Sequence, residues 1–176
     1  MSDNRFILWL LGPTSSGKTT ISRALLENLR QLGRPIIHYD GDEVRDFFGP
    51  EFGFNENNRL RVVQTTAYLA NKSYNAGQNV IVSALTAHED ARELVKSTLD
   101  NLVIGYVKCS IETCAARDPK GLYAQAERGE IDTLIGVHSE YIEPINPDFV
   151  LDSEKFSFDQ NVDQVLEYLR RQNYQI

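Results

Sequence analysis

The run Gly12-Pro13-Thr14-Ser15-Ser16-Gly17-Lys18-Thr19 constrains this chain more than any other segment. It follows the apolar stretch Phe6-Ile7-Leu8-Trp9-Leu10-Leu11 and leads into residues with helical spacing. Strand, glycine loop and helix in that order form the setting of a phosphate-binding P-loop. Gly12 and Gly17 permit backbone angles and close approaches that a side chain blocks. The loop amides and the helix N-terminus then turn partial positive charge toward phosphate oxygens. In such a loop Lys18 reaches the β- and γ-phosphates, and the Thr19 hydroxyl holds Mg²⁺. The expected nucleotide-binding set is therefore Gly12, Pro13, Thr14, Ser15, Ser16, Gly17, Lys18, Thr19 and the adjacent Thr20.

Strand and helix patterns alternate along the rest of the chain. Strands are expected at 6–11, 35–40, 79–85, 102–109 and 148–151, and helices at 19–32, 59–76, 88–99 and 158–171. Ile21, Leu25, Leu26 and Leu29 recur at helical spacing before Gly33, and 79–85 is rich in β-branched residues. Alternation of this kind predicts an α/β fold: a five-stranded parallel sheet covered by helices on both faces. At 176 residues the chain reads as a single domain spanning 1–176, with no internal repeat or linker.

The composition excludes several classes. A net charge of −7 argues against broad nucleic-acid binding. The apolar runs are too short to cross a membrane, and the first residues lack the pattern of a signal peptide. Cys109 and Cys114 form no disulfide framework or metal site and read as buried thiols. His38, His88 and His138 lack metal-ligand spacing. A cytoplasmic location is the resulting expectation.

Two further segments carry chemistry. Tyr39-Asp40-Gly41-Asp42-Glu43-Val44-Arg45 leaves the second strand at its carboxyl end, where ligands sit in a doubly wound sheet. Gly41 is expected to turn the chain between two carboxylates. One carboxylate would accept a proton from an attacking hydroxyl, and the other would orient Mg²⁺ or the turn. Arg45 offers a planar fork for an anionic acceptor. The polar stretch 112–143 has no strand pattern and reads as a lid that brings cations to a transferring phosphoryl group and excludes water.

With these residues in view, the chain resembles the adenylylsulfate (APS) kinases, small P-loop enzymes that phosphorylate the ribose 3′-hydroxyl of adenosine 5′-phosphosulfate. The resemblance covers nearly the whole chain. It rests on the P-loop, Asp40 to Arg45, Gly53-Phe54, Asn58-Arg59, Arg117-Asp118-Pro119-Lys120-Gly121-Leu122-Tyr123, Gly129-Glu130-Ile131 and Tyr141 to Pro144. It implies ATP and Mg²⁺ as cofactors, with Thr19 and Asp42 on the metal and Lys18 and Asp42 as catalytic residues. Arg117 would join the ATP side of the lid. Asp40, Asp42, Arg45, Phe54, Arg59, Leu85, Thr86, Lys120 and Leu134 would meet the acceptor, with Phe54 stacked on its base. A role in sulfate assimilation follows from the resemblance, and homodimers are common in that family.

The chain also departs from the family pattern, mostly on the acceptor side. Glu43 stands where the family usually has Asn, and Val62, Val63 and Gln64 follow where further polar and basic residues are usual. Leu85-Thr86-Ala87 replaces Ile-Ser-Pro, Glu89 occupies an arginine position, and Leu134 replaces a phenylalanine that stacks on adenine. Losing one stacking ring costs about 1–3 kcal/mol. Two acceptors therefore stay open: adenosine 5′-phosphosulfate, or another nucleotide such as cytidine diphosphoramidate. A GTPase switch is a remote third reading. Asp46-Phe47-Phe48-Gly49 has the D-x-x-G form, but no N-K-x-D segment accompanies it.

Overall fold

Short runs of β-branched and large apolar residues become the strands β1 (Ile7–Leu11), β2 (Ile36–Asp40), β3 (Asn79–Ala84), β4 (Leu102–Lys108) and β5 (Phe149–Asp152), with β1 and β3 fully buried and the edge strands β2 and β5 partly exposed. The structure, a computed structural model, describes residues 4–174 and 176. All strand pairs are parallel, in the order β2-β3-β1-β4-β5. The connecting helices are α1 (Lys18–Gln31), α2 (Gly41–Phe47), α3 (Glu56–Asn75), α4 (Glu89–Thr98), α5 (Ile111–Arg117) and α6 (Leu122–Glu127), and α7 (Phe158–Arg171) completes the chain order.

The central strand explains the layering. Side chains alternate across a strand. Ile7, Trp9 and Leu11 accordingly join a cluster with Val63, Ala67 and Ala70 of α3 and Val95 of α4. Phe6, Leu8 and Leu10 join a second cluster with Ile21 and Leu25 of α1 and Val162 and Val165 of α7. Each fully buried large apolar side chain is worth about 1.5–3 kcal/mol. The sheet is thus held from both faces, and the loops at its carboxyl edge are free to carry chemistry.

The helix starts differ from expectation where a polar residue caps them. Asn55 accepts a bond from the Asn58 amide at 2.9 Å, so α3 begins before Arg59. Asp40 caps α2 by accepting from the Asp42 amide at 2.9 Å, so the expected turn is a helix start. Gly41 lies inside that helix. A Cβ there would come within 3.2 Å of Ala84 Cβ, so Gly41 allows α2 to pack closely on β3. The 112–143 stretch also gains structure, since α6 and nearly all of α5 fall within it, together with an isolated bridge between Ile135 and Ser139. Among the described residues no helix is long and apolar enough to cross a membrane.

Candidate active site

The loops leaving β1, β2 and β3 meet the lid and the segment after β5 around a cleft of about 1290 Å³. Thr14 to Thr20, Asp40, Asp42, Arg45, Phe54, Arg59, Leu85, Thr86, Arg117, Lys120 and Leu134 all line it. Gly12 and Pro13, at the start of the loop, do not line the cleft. A Cβ on Gly12 would sit 2.4 Å from the Val107 carbonyl oxygen, which explains the glycine. The Pro13 carbonyl accepts from Lys18 Nζ at 2.6 Å and from the Ser16 amide at 3.3 Å.

The loop's polar groups are arranged for an anion. Gly17 takes φ 103°, a conformation a side chain resists, and leads directly into α1. Among the described residues the amides of Gly17, Lys18 and Thr19 have no protein acceptor, and Ser15 Oγ is buried without a partner. Burial draws the Lys18 ammonium from 10.5 down to about 8, although Asp42 and other nearby groups favour its charge. A polyphosphate would satisfy the amides and offset the cost of the lysine's charge, so these residues fit ATP.

The two aspartates occupy different environments. Asp40 is buried, and its carboxylate accepts from Thr19 Oγ1 at 2.7 Å, Ser83 Oγ at 2.9 Å and the Asp42 amide at 2.9 Å. Burial pushes its pKa up, but these hydrogen bonds, Thr19 foremost, outweigh that and hold it low. Asp42 is exposed and forms an ion pair with Lys120 of the lid. For Lys120, burial works against the charge, but Asp42 wins and its pKa is raised. Asp40 lines the cleft, but its carboxylate is engaged by Thr19, Ser83 and the Asp42 amide. Thr19 is hydrogen-bonded to Asp40 and not to Asp42.

A cationic and aromatic cluster lies in the same cleft. The guanidiniums of Arg45 and Arg59 lie 4.5 and 5.6 Å from the centre of the exposed Phe54 ring. Arg45 donates to the Gly53 carbonyl at 2.8 Å and Arg59 to the Phe54 carbonyl at 2.7 Å. Arg59 also donates to the Thr133 carbonyl of the lid. Burial, then repulsion from Arg45, pushes Arg59 down to about 10, and burial lowers Arg45 too. Neither forms an ion pair with a carboxylate among the described residues.

The 112–143 segment, expected to act as a lid, borders this cleft. Tyr123 donates from its hydroxyl to the Thr14 carbonyl at 3.1 Å, tying α6 to the phosphate loop. Arg117 donates to Ser153 Oγ at 3.1 Å and to the Ser153 carbonyl, in the segment that leads through Phe156 to Phe158 at the start of α7. Leu134 is buried with Cys109, Cys114, Tyr123 and Ala126. Sequence reasoning did not foresee Ser83, Tyr123 or Ser153. Ser83 was hidden inside an apolar strand, and the other two depend on how the lid folds.

Three departures from the family pattern resolve differently. Glu43 lines the cleft and pairs with Arg23 at 3.4 Å. Glu89 does not line it; it pairs with Arg92 at 3.0 Å and Lys96 at 3.4 Å. Gln64 is exposed and lies outside the cleft. Glu89 and Gln64 are therefore removed from the acceptor-side changes.

Residues 4–152 match the adenylylsulphate kinase family. The chain belongs to that family. It is 35% identical over 170 residues to an adenylyl-sulfate kinase of Oceanobacillus iheyensis, covering 96% of this chain and 85% of that one. It is 37% identical over 150 residues to a probable adenylyl-sulfate kinase of Archaeoglobus fulgidus, covering 85% and 97%. The solved Mycobacterium tuberculosis APS kinase, in complex with AMPPNP and APS, superposes with a TM-score of 0.89 at 27% identity, covering 94% of this chain and 98% of that chain. Shikimate kinase from Aquifex aeolicus shares the fold at a TM-score of 0.56 and 19% identity, covering 96% of this chain and 98% of that chain. Family membership makes the protein a kinase, a phosphotransferase with an alcohol group as acceptor. The P-loop kinase fold expected from the sequence is the observed one.

Proposed function

We propose that this kinase transfers the γ-phosphoryl group of ATP to the ribose 3′-hydroxyl of adenosine 5′-phosphosulfate, giving 3′-phosphoadenosine 5′-phosphosulfate. The observation that carries the reading is the Arg45, Phe54 and Arg59 cluster. Two half-buried cations that form no ion pair among the described residues, flanking an exposed ring, suit an anionic tail and a flat base. The relatives named adenylyl-sulfate kinase support the same acceptor.

Each step falls to a named group. The loop amides and Lys18 hold the β- and γ-phosphates in place. Thr19 and Asp40 would hold Mg²⁺, which supplies charge neutralisation on the phosphate oxygens when bound. Asp42 takes the 3′-hydroxyl proton as the phosphoryl group passes in line, and it becomes free to do so when Lys120 turns to the reacting oxygens. Arg117 and Tyr123 keep the lid down and water out.

A second acceptor is favoured by one observation. Leu134 packs into the lid's own apolar cluster, so the base would meet an aromatic ring, Phe54, on one face alone. A cytidine compound such as cytidine diphosphoramidate fits that arrangement. ADP release with ATP·Mg²⁺ across adenosine 5′-phosphosulfate, cytidine diphosphoramidate, CDP, AMP and water separates the two. Rapid turnover with adenosine 5′-phosphosulfate supports the proposal. Turnover confined to the cytidine compound replaces it.

A further inference from the structure

Arg92 of α4 is 1% exposed. A buried guanidinium is costly unless each of its N–H groups finds an acceptor. Here all of them do. Nε donates to the Thr86 carbonyl at 3.0 Å, and Nη2 donates to the Ala87 carbonyl at 3.0 Å and to the Ile142 carbonyl. Nη1 donates to Glu89 Oε2 at 3.0 Å and to the Glu143 carbonyl at 3.3 Å. The Tyr141 ring lies 5.8 Å from the guanidinium carbon.

These partners belong to two stretches far apart in sequence. Thr86 and Ala87 follow β3 and line the cleft, whereas Ile142 and Glu143 are where the chain leaves the lid. Arg92 itself does not line the cleft. Thr86 is also strained. Its φ of 38° is in the left-handed region, which a β-branched residue resists. Such a conformation persists only when its surroundings over-determine it. Arg92 holds the Thr86 carbonyl from one side, and Trp9 Nε1 holds the Thr86 hydroxyl from the other at 2.9 Å.

We infer that Arg92 is a positioning residue for the acceptor: it fixes the strained Thr86 wall of the cleft to the segment leaving the lid. It touches neither substrate and acts only through these two stretches. The inference rests on the acceptor site proposed above. The planar fork matters here, because a lysine keeps the charge and the Glu89 pair but cannot serve carbonyls in several directions at once.

The test is steady-state kinetics of Arg92→Lys and Trp9→Phe, varying ATP and acceptor separately, alongside thermal unfolding. In Arg92→Lys the acceptor KM is expected to rise about tenfold or more, a loss matching release of the held Thr86 geometry. The KM for ATP is expected to stay within about twofold, since the phosphate loop makes no bond to Arg92. Trp9→Phe, which removes the bond to the Thr86 hydroxyl along with some buried ring volume, should show the same split at smaller size, the lost volume appearing in the melting temperature. A purely structural role would lower the melting temperature and leave both constants unmoved, and that result, or an equal rise in both, overturns the inference. If Arg92→Lys does not fold, Trp9→Phe decides alone by the same criterion. A wild-type enzyme that turns over none of the acceptors overturns the functional reading and this inference together. Normal wild-type turnover with unsplit constants in the variants overturns the inference alone.

Discussion

Replacing Lys18 by Met should make the nucleotide-free protein more stable while ending its activity. Burial takes the Lys18 pKa from 10.5 to about 8. That shift corresponds to about 3 kcal/mol of cost for carrying the charge in the fold. The figure is an upper bound, because Nζ recovers part of it from the Pro13 carbonyl and the substitution loses that bond. The sign with pH follows from linkage. A lysine whose folded pKa lies below its unfolded value destabilises the fold fully below about pH 8, and the penalty fades as pH rises toward 10.5. The advantage of Lys18→Met should therefore approach about 3 kcal/mol near pH 7 and fall to about half that near pH 9.5. Urea unfolding of both proteins at the two pH values, without nucleotide, reads the difference directly. Coupled ADP-release assays should find turnover lost in the variant. A variant that is less stable than wild type at pH 7, or whose advantage does not shrink with pH, would refute the argument that Lys18 is held charged at a cost for the phosphates to recover.

Asp42→Ala should lower kcat by about 10²–10⁴ with the KM for ATP nearly unchanged, as expected when a general base is lost; parallel losses in both constants would instead mark a structural role. Arg59→Met removes a guanidinium that Arg45 repels, so the acceptor KM should rise about tenfold while the melting temperature holds or increases slightly. Gly105→Ala places a Cβ 2.5 Å from the Phe149 ring and 2.6 Å from Leu10 Cδ2. Overpacking of that kind costs about 1–3 kcal/mol, visible in urea unfolding, with the kinetic constants of the folded fraction unaltered.

Much of the molecule was legible because its signals are local. The five strands are apolar runs bounded by polar turns, and the phosphate loop is a contiguous string whose geometry is set by its own glycines. What the sequence hid depends on partners distant along the chain. Asp40 and Asp42 flank one glycine and look interchangeable. Which of them meets Thr19 is decided by where β2 ends and α2 begins, a boundary that the same carboxylate sets by capping. Asx turns and helix caps use the same chemistry, so a turn reading was the natural error. Glu89 looked like an acceptor-side change until Arg92 drew it away from the cleft. The lid helices α5 and α6 are short, and packing more than periodicity defines them.

The unpaired cations beside Phe54 have a consequence for how the acceptor arrives. The chain as a whole carries a net charge of −7, so at low ionic strength, where the Debye length reaches about 30 Å at 0.01 M, an approaching anion is repelled at a distance. Attraction to Arg45 and Arg59 takes over only within roughly a Debye length, about 8 Å at physiological ionic strength. Added salt should then act in opposite directions on the two halves of the encounter. It screens the long-range repulsion and speeds approach, yet it weakens the grip of the two guanidiniums and shortens residence.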